Sequence, residues 1–189
     1  KDIKKWYDHV ENFIGVSGNR DNLPQIPDGN FLPPWSMNCI EKHIKSKIAN
    51  HYSDRVLTIG RTTNLTKPHG GRGKCMARNL CVRGCPYGAY FSSNSVTLPA
   101  AQKTNNMTLR PNSIVHTILF DKNTKKATGV RIVDEITRKT IDFKSKIIFL
   151  CASTLGSTSI LLNSVKNSFV DGLGNTSGQL GHNLMDNHF

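Results

Sequence analysis

The stretch of sequence that most constrains the fold runs from residue 107 to residue 164, where strand patterns give way to a helical one. Residues 107–121, MTLRPNSIVHTILFD, carry strand signals, and two more short strand patterns follow polar turns at 122–126 and 134–138. Hydrophilic links between β-rich runs indicate antiparallel neighbours. The sequence therefore predicts a three-stranded β-meander.

The segment after the meander has a different pattern. Residues 146–153, KIIFLCAS, are apolar at consecutive positions, as in a strand buried on both faces of a parallel sheet. The next residues, TLGSTSILLNSV, predict a helix that begins behind Gly156 and Ser157. A buried strand running into a glycine-bearing helix start is where α/β proteins hold nucleotides, although this signal alone is weak. The predicted fold class therefore combines α+β and α/β features.

Residues 69–94, HGGRGKCMARNLCVRGCPYGAYFSSN, hold most of the side chains that could bind a metal, and we call this segment the cysteine run. Three of the five cysteines fall here with the spacing C-x5-C-x3-C, followed directly by proline: Cys75, Cys81 and Cys85. Glycines around them let the backbone turn tightly. Four basic residues lie nearby in sequence and favour the thiolate form that ligates metals: Arg72, Lys74, Arg78 and Arg83.

Three interpretations of this cysteine spacing are open on the residues alone. Three thiolates within eleven residues can hold one inorganic centre, and a Cys-Pro ending is typical of iron–sulfur ligand runs. The usual zinc patterns differ, because they pair two C-x2-4-C or H-x3-5-H halves. The second interpretation is a trio of buried structural thiols, and the third is one disulfide with a spare cysteine.

Composition narrows the class of protein. At 189 residues with 37 % hydrophobic content, the chain has the length of one domain and lies on the polar side for a globular protein. The sequence contains no run of eighteen apolar residues and therefore predicts no transmembrane segment. The net charge of +12 suggests an acidic partner, but the basic residues are scattered and no aromatic stripe runs among them. We therefore do not expect nucleic-acid binding.

The first sixty residues predict helices joined by loops. Residues 1–14 and 37–52 carry apolar side chains at helical spacing, and a glycine stop follows the first of these helices. The proline-rich residues 20–36 predict an extended loop, and residues 54–60, DRVLTIG, alternate like a strand. We expect Cys39, on the second helix, to be a small core residue.

These pieces, in this order, resemble the glucose–methanol–choline (GMC) family of flavoprotein oxidoreductases. The similar segments span nearly the whole chain: YDHVENFIGVSG (7–18), CVRGCPYGAYFS (81–92), NSIVHTILFDKNTKKATGVRIVD (112–134), IIFLCASTLGSTSILLNS (147–164) and NTSGQLGHNLMDNH (175–188). The GVSG and LGxNLMDxH pieces are most similar to bacterial sugar and polyol dehydrogenases, which include gluconate, fructose and glucose dehydrogenases. The resemblance implies the central part of a larger enzyme that uses FAD.

The resemblance also implies a division into four parts. Residues 1–60 would border the substrate domain, and residues 61–106 form the Cys/Gly-rich loop region. Residues 107–174 would supply the meander and strand–helix unit of a partial, Rossmann-like FAD-binding domain. Residues 175–189 would begin the following substrate-domain segment.

Two family features are not found in this sequence. Family members begin with a G-x-G-x-x-G turn for the FAD pyrophosphate and end with a His–His or His–Asn pair near the flavin. We therefore assign no catalytic residue and expect the chain alone to be inactive. Four histidines are expected to be loop or surface residues: His69, His116, His182 and His188.

Four residues are carried over as FAD-binding candidates. The resemblance implies that a backbone group of Val115 touches the adenine. It implies that Cys151, Ala152 and Ser153 form the strand end near the adenine and ribose. The chain departs from the family's usual residues at three positions: Thr158, Val165 and Asn187.

The resemblance gives the cysteine run a specific meaning. Some dehydrogenases of this branch bind a three-iron, four-sulfur (3Fe-4S) cluster through C-x5-C-x3-C-P-x-G-A, a pattern that Cys75, Cys81 and Cys85 match. It implies a sugar or polyol substrate and electron transfer through the cluster to a cytochrome or quinone acceptor. Related proteins carry similar cysteine loops, so a purely structural role for the three thiols is the alternative within the family.

The competing hypothesis is a non-catalytic, basic zinc module that contacts nucleic acid or a protein partner. The same three cysteines would bind zinc, with His69 as the fourth ligand. This hypothesis predicts bound zinc and salt-sensitive binding, whereas the flavoprotein hypothesis predicts iron, sulfide and flavin. The sequence assigns no compartment, although similar dehydrogenases are often exported to the periplasm.

Overall fold

The computed structural model describes residues 2–164 and 171–186. The chain divides into two compact units, Lys1–Thr108 and Leu109–Phe189. The elements in chain order are α1 (Lys4–Ile14), α2 (Cys39–His51), a 3-10 turn (Cys81–Arg83), α3 (Thr97–Lys103), β1 (Ser113–Asp121), β2 (Lys126–Asp134), β3 (Thr140–Lys144) and α4 (Ser153–Asn163). This architecture confirms the predicted α+β class with a three-stranded meander. The finer four-part division stays a prediction.

Helix α1 ends where the sequence places its glycine stop. Gly15 takes a left-handed conformation, φ 79°, and its N–H donates to the carbonyl of Glu11 at 3.0 Å. A Cβ at this position would lie 2.5 Å from Cδ2 of Leu65. Both the backbone conformation and the close packing therefore require glycine.

The core of the first unit is small and lies under the cysteine run. Leu32, Leu65 and Ala89 are buried together, and Cys75 and Cys85 pack against them. The interior is built from short backbone pairings instead of a sheet. These pairings fix the loops because each buried N–H and C=O must find a partner.

Helix α2 is well capped but buries none of its residues. The Asn38 side chain accepts from the N–H of Glu41, whose carboxylate accepts in return from the N–H of Asn38. Cys39 is exposed, so its prediction as a core residue is wrong. Ile40 and Ile44, on the apolar side of the helix, are 66 % and 44 % exposed, so the described residues cover this side only in part.

The prediction of a strand at residues 54–60 is also wrong. No strand is assigned there, and Val56 is 58 % exposed. The pairing falls just beyond it, where Ser17 and Thr62 exchange backbone hydrogen bonds of 2.8 and 3.0 Å. Alternating apolar residues do not form a strand unless a partner strand lies alongside.

The second unit is built on the meander, whose strands lie in the antiparallel order β1-β2-β3. Alternation along the strands buries Ile118 of β1 and Ile132 of β2, and helix α4 packs against β1 with Ile160 buried. Arg110 and Asp134 form an ion pair of 2.7 Å at the end of the sheet. Helix α4 thus covers the sheet at β1.

Asp134 also closes the turn between β2 and β3. Its Oδ1 accepts from the N–H of Thr137 at 2.8 Å and from the Thr137 hydroxyl at 2.9 Å. The Thr137 backbone bond, with the Arg110 guanidinium and the Thr137 hydroxyl, lowers the pKa of Asp134 to about 2. The carboxylate is therefore part of the turn in its charged form.

The buried strand predicted at residues 146–153 is not formed among the described residues. Ile147 is 69 % exposed and Phe149 is 85 % exposed, and no described strand pairs with this segment. A strand buried on both faces needs hydrogen-bonded neighbours and covering layers, and no described element supplies them. The following helix begins at Ser153, before the predicted start behind Gly156. No described helix is both long and apolar enough to pass through a bilayer.

Candidate functional site

The cysteine run is held by three short segments of backbone that hydrogen-bond to one another. Leu65 stands at their centre, because its N–H donates to the carbonyl of Ala89 at 3.0 Å and its carbonyl accepts from the N–H of Cys75 at 2.9 Å. The N–H of Gly73 donates to the carbonyl of Tyr87 at 2.8 Å. The fully buried Leu65 side chain thus anchors the cysteine run to the core of the first unit.

Cys75, Cys81 and Cys85 line one small cavity of about 30 Å³. All three are half-buried free thiols, so the structure does not form the disulfide of the third interpretation. Within residues 2–164 and 171–186, no three His, Cys, Asp or Glu side chains are arranged to hold a metal ion. The three thiols supply the right kind of donors for an iron–sulfur centre, but the sulfurs are not gathered at ligand geometry.

Cys85 is surrounded by backbone donors. A hydrogen bond from the backbone of Tyr90 lowers the pKa of the Cys85 thiol, and burial opposes this effect. Backbone hydrogen bonds from Tyr87, Ala89 and Gly88 lower the pKa further. The loop after Cys85 therefore favours a thiolate at this position.

Cys81 is contacted by a side chain that the sequence analysis missed. Nδ2 of Asn64 donates to Sγ of Cys81 at 3.8 Å. The Thr62 hydroxyl donates to Oδ1 of the same amide at 2.9 Å. No local pattern could have revealed this contact, because the two residues are seventeen positions apart and meet only in the folded loop.

Arg72 is close to the cysteines in sequence, but its guanidinium binds backbone carbonyl groups. Its guanidinium donates to the carbonyl of Ile14 at 2.6 Å and to that of Gly88 at 3.3 Å, and burial lowers the pKa of Arg72. It therefore links the last turn of α1 to the cysteine run, where a cation suits the unpaired carbonyls of a helix end. Arg78 does line the cysteine cavity.

His69 lies at the same helix end. Its Nε2 is 2.5 Å from the carbonyl oxygen of Asn12. The structure thus gives His69 a backbone partner on α1 and does not bring it to the three sulfurs as a fourth ligand. His116 and His182 are exposed, as predicted, whereas His188 lies outside the described residues.

Val115, the predicted adenine contact, lies in β1 and pairs with Ile132 of β2. The ladder shifts register between Val115 and Thr117, so His116 has no partner in it. Such a bulge re-aims backbone groups at the edge of a sheet. Of the described strands, only β2 pairs with β1, so the other edge of β1 is not covered by a strand.

Cys151, Ala152 and Ser153, the other predicted FAD contacts, lie at the start of α4. Ala152 is the N-cap residue, and Ser153 takes a left-handed conformation with φ 60°. A non-glycine residue in this region is strained, and such strain concentrates at functional sites. All three are exposed, and of the departures from the family pattern, Thr158 lies in α4 whereas Val165 and Asn187 lie outside the described residues.

Ser164 joins α4 to β1. Its hydroxyl accepts from the N–H of Ile118 at 2.8 Å and donates to the carbonyl of Ile160 at 2.6 Å. The strand that carries Val115 and the helix that Ala152 caps are therefore packed together within the second unit. This arrangement brings the predicted FAD contacts onto adjacent elements.

Comparison with known proteins agrees with the resemblance in the sequence. The family model for GMC oxidoreductase matches residues 56–189. Paromamine 6'-oxidase of Streptomyces fradiae is 26 % identical over 185 residues, covering 97 % of this chain and 32 % of that protein. The 2-methyl-1,2-propanediol dehydrogenase of Mycolicibacterium austroafricanum is 25 % identical over 195 residues, covering 98 % and 33 %.

The fructose dehydrogenase large subunit of Gluconobacter japonicus is 24 % identical over 200 residues, covering 98 % of this chain and 34 % of that protein. The chain spans about a third of the length of each of these relatives. The family match covers both the cysteine run and the whole second unit. On this evidence, the chain belongs to the GMC oxidoreductase family.

Proposed function

We propose that this chain is part of an FAD-dependent dehydrogenase that oxidises an alcohol group of a sugar or polyol. In this proposal the electrons leave through a 3Fe-4S cluster held by Cys75, Cys81 and Cys85, towards a cytochrome or quinone acceptor. The chain contributes the adenine side of the FAD site and the ligands of the cluster. It does not contribute the catalytic base, so the chain alone is inactive.

Membership in the GMC family is the observation that carries the oxidoreductase part of the proposal. The relatives are named for fructose, 2-methyl-1,2-propanediol and paromamine, and each of these names denotes an oxidase or a dehydrogenase. We extend this chemistry to a hydroxyl-bearing small molecule. A sugar or polyol is the class common to the family branch that the sequence resembles.

The residues on β1 and at the start of α4 fit an adenine site in their chemistry. Adenine is recognised by backbone donors and acceptors, which the bulge beside Val115 can re-aim at the edge of β1 that no described strand covers. Ala152 precedes and Ser153 begins a helix whose first amide groups lack partners within the helix. When bound, FAD supplies hydride acceptance, and this chain's residues hold its nucleotide half in place.

The cluster proposal rests on the donor set. Three free thiols line one cavity, and hydrogen-bond donors reach Cys85 from the backbone and Cys81 from Asn64. Donors around the sulfurs are what thiolate ligands of a metal centre require. When bound, the cluster supplies one-electron transfer, which favours a dehydrogenase over an oxidase.

The proposal is tested by mixing the anaerobically purified full-length protein, not this chain alone, with fructose, glucose, gluconate or a vicinal diol. We expect one of these compounds to bleach the flavin absorbance. We expect a quinone analogue to restore the absorbance faster than oxygen does. Cys81→Ser should keep the bleaching step and slow reoxidation by the quinone analogue.

Two results would contradict the proposal. If the purified full-length protein contains no flavin, the oxidoreductase part of the proposal is wrong. If the quinone analogue reoxidises Cys81→Ser at the same rate as the wild type, the electron relay is wrong and the three cysteines have a structural role.

A further inference from the structure

One turn of the cysteine run exposes both apolar and basic side chains. We call residues 74–83, KCMARNLCVR, the basic tip. Val82 is 94 % exposed and Met76 is 59 % exposed. A Cβ added at Gly84, directly after the basic tip, would meet no described atom within 4 Å. The basic tip therefore protrudes from the described part of the first unit.

The charge of the basic tip is not balanced by acidic residues nearby in the sequence. Residues 55–108 contain eight Lys and Arg residues and no Asp or Glu. Two of these cations are used inside the fold, because Arg61 and Arg72 donate to backbone carbonyl groups. The three cations of the basic tip are exposed, and none of them forms an ion pair with a described residue: Lys74, Arg78 and Arg83.

We propose that the basic tip binds the surface of an anionic lipid bilayer. A protruding apolar side chain can enter the boundary between headgroups and acyl chains, while cations beside it meet the anionic headgroups. Val82 and Arg83 are neighbours in the 3-10 turn Cys81–Arg83, so one short element carries both kinds of group. This inference goes beyond the proposed function, because it requires neither bound FAD nor a cluster.

An acidic protein is the other partner that this positive charge would attract. A stable protein interface uses about 20–30 residues on each side, whereas the basic tip has ten residues. A lipid surface needs no matching contour, because lipids rearrange around an inserted side chain. The small size of the basic tip therefore favours lipid over protein.

The test is co-sedimentation of the purified full-length protein with vesicles of phosphatidylcholine alone or of phosphatidylcholine with phosphatidylglycerol. We expect binding to the anionic vesicles, and we expect this binding to weaken as the salt concentration is raised. Val82→Ser should weaken the binding about tenfold, because the inserted side chain loses apolar area. Arg83→Gln should weaken it about fivefold, the effect of one cation near an anionic surface.

Two matched controls lie in the first unit outside the basic tip. Val56→Ser changes another exposed valine, and Lys42→Gln neutralises another exposed cation. Both variants should bind the anionic vesicles like the wild type. Circular dichroism establishes that every variant is folded. In the wild type, anionic vesicles should slow the hydrogen exchange of residues 74–83.

Three results would overturn the inference. The first is a full-length protein that does not bind the anionic vesicles. The second is binding by Val82→Ser and Arg83→Gln that equals the binding of the two controls. The third is binding to poly-L-glutamate without binding to vesicles, weakened by Arg83→Gln, which would assign the basic tip to an acidic protein. The flavin content of the same sample judges the proposed function separately.

Discussion

The hydrogen bonds of Ser164 give the sharpest test of how the second unit is held together. The Ser164 hydroxyl is the described partner of the Ile118 N–H, and the two residues are only 6 % and 9 % exposed. Ser164→Ala removes the acceptor and leaves a buried N–H without its partner. The Ile160 carbonyl also loses the Ser164 hydroxyl as a donor, so the cost includes both groups.

The magnitude follows from the surroundings of this N–H. Leaving a buried donor without a partner costs about 1–3 kcal/mol. Ser164 and Ile118 also line a cavity of about 350 Å³ with polar residues such as Thr140. A water molecule can reach the freed N–H from this cavity and replace part of the lost bond. We therefore expect Ser164→Ala to lower the free energy of unfolding by about 1–2 kcal/mol.

The assay is urea unfolding of the purified protein followed by circular dichroism, with the free energy extrapolated to water. Ser159→Ala is the matched control, because Ser159 is an exposed serine on the same helix. The control should change stability by less than about 0.5 kcal/mol. Equal values for the two variants would refute the role given to Ser164.

Three further predictions concern other parts of the chain. Gly15→Ala should lower the free energy of unfolding by more than about 1 kcal/mol, whereas Gly60→Ala, where a Cβ meets open space, should change it little; urea unfolding compares the two. Because the native pKa of Asp134 is about 2, below the usual 3.8, its stabilising effect is complete above that usual value and is lost as the pH falls through 2. Acid unfolding of Asp134→Asn should therefore lack this pH-dependent loss, and identical acid curves would contradict the assignment. Ser153→Gly should raise the free energy of unfolding by up to about 1 kcal/mol by relieving a left-handed backbone, and Ser153→Val should lower it.

The sequence predicts those parts of the fold that local patterns determine. The end of α1 follows from Gly15, whose left-handed backbone a glycine adopts at no cost. The meander follows from alternating residues that pair across short polar turns. Such elements need no distant partner to be recognised.

The wrong predictions concern segments whose apolar side chains require distant partners. Residues 146–153 have the composition of an inner strand, yet no described strand pairs with them. Cys39 lies on a helix whose apolar residues Ile40 and Ile44 are 66 % and 44 % exposed. Because the chain spans about a third of its relatives' length, such partners are to be expected in other parts of a GMC protein.

The cysteine run shows where spacing is informative and where it is not. The C-x5-C-x3-C pattern allows three thiolates to converge on one inorganic centre; the structure places the three cysteines around one small cavity, but their described side chains are not arranged to hold a metal ion. Closeness in sequence does not fix the direction of a side chain, so Arg72 turns to the end of α1 instead of the sulfurs. The contact of Asn64 with Cys81 depends on the pairing of distant loop segments and has no signature in the sequence.

The most direct test is the cofactor content of the anaerobically purified full-length protein. Flavin, iron, acid-labile sulfide and zinc are measured in one sample. We predict bound FAD with iron and sulfide near the three-to-four ratio of a 3Fe-4S cluster. Stoichiometric zinc without flavin or sulfide would contradict the account.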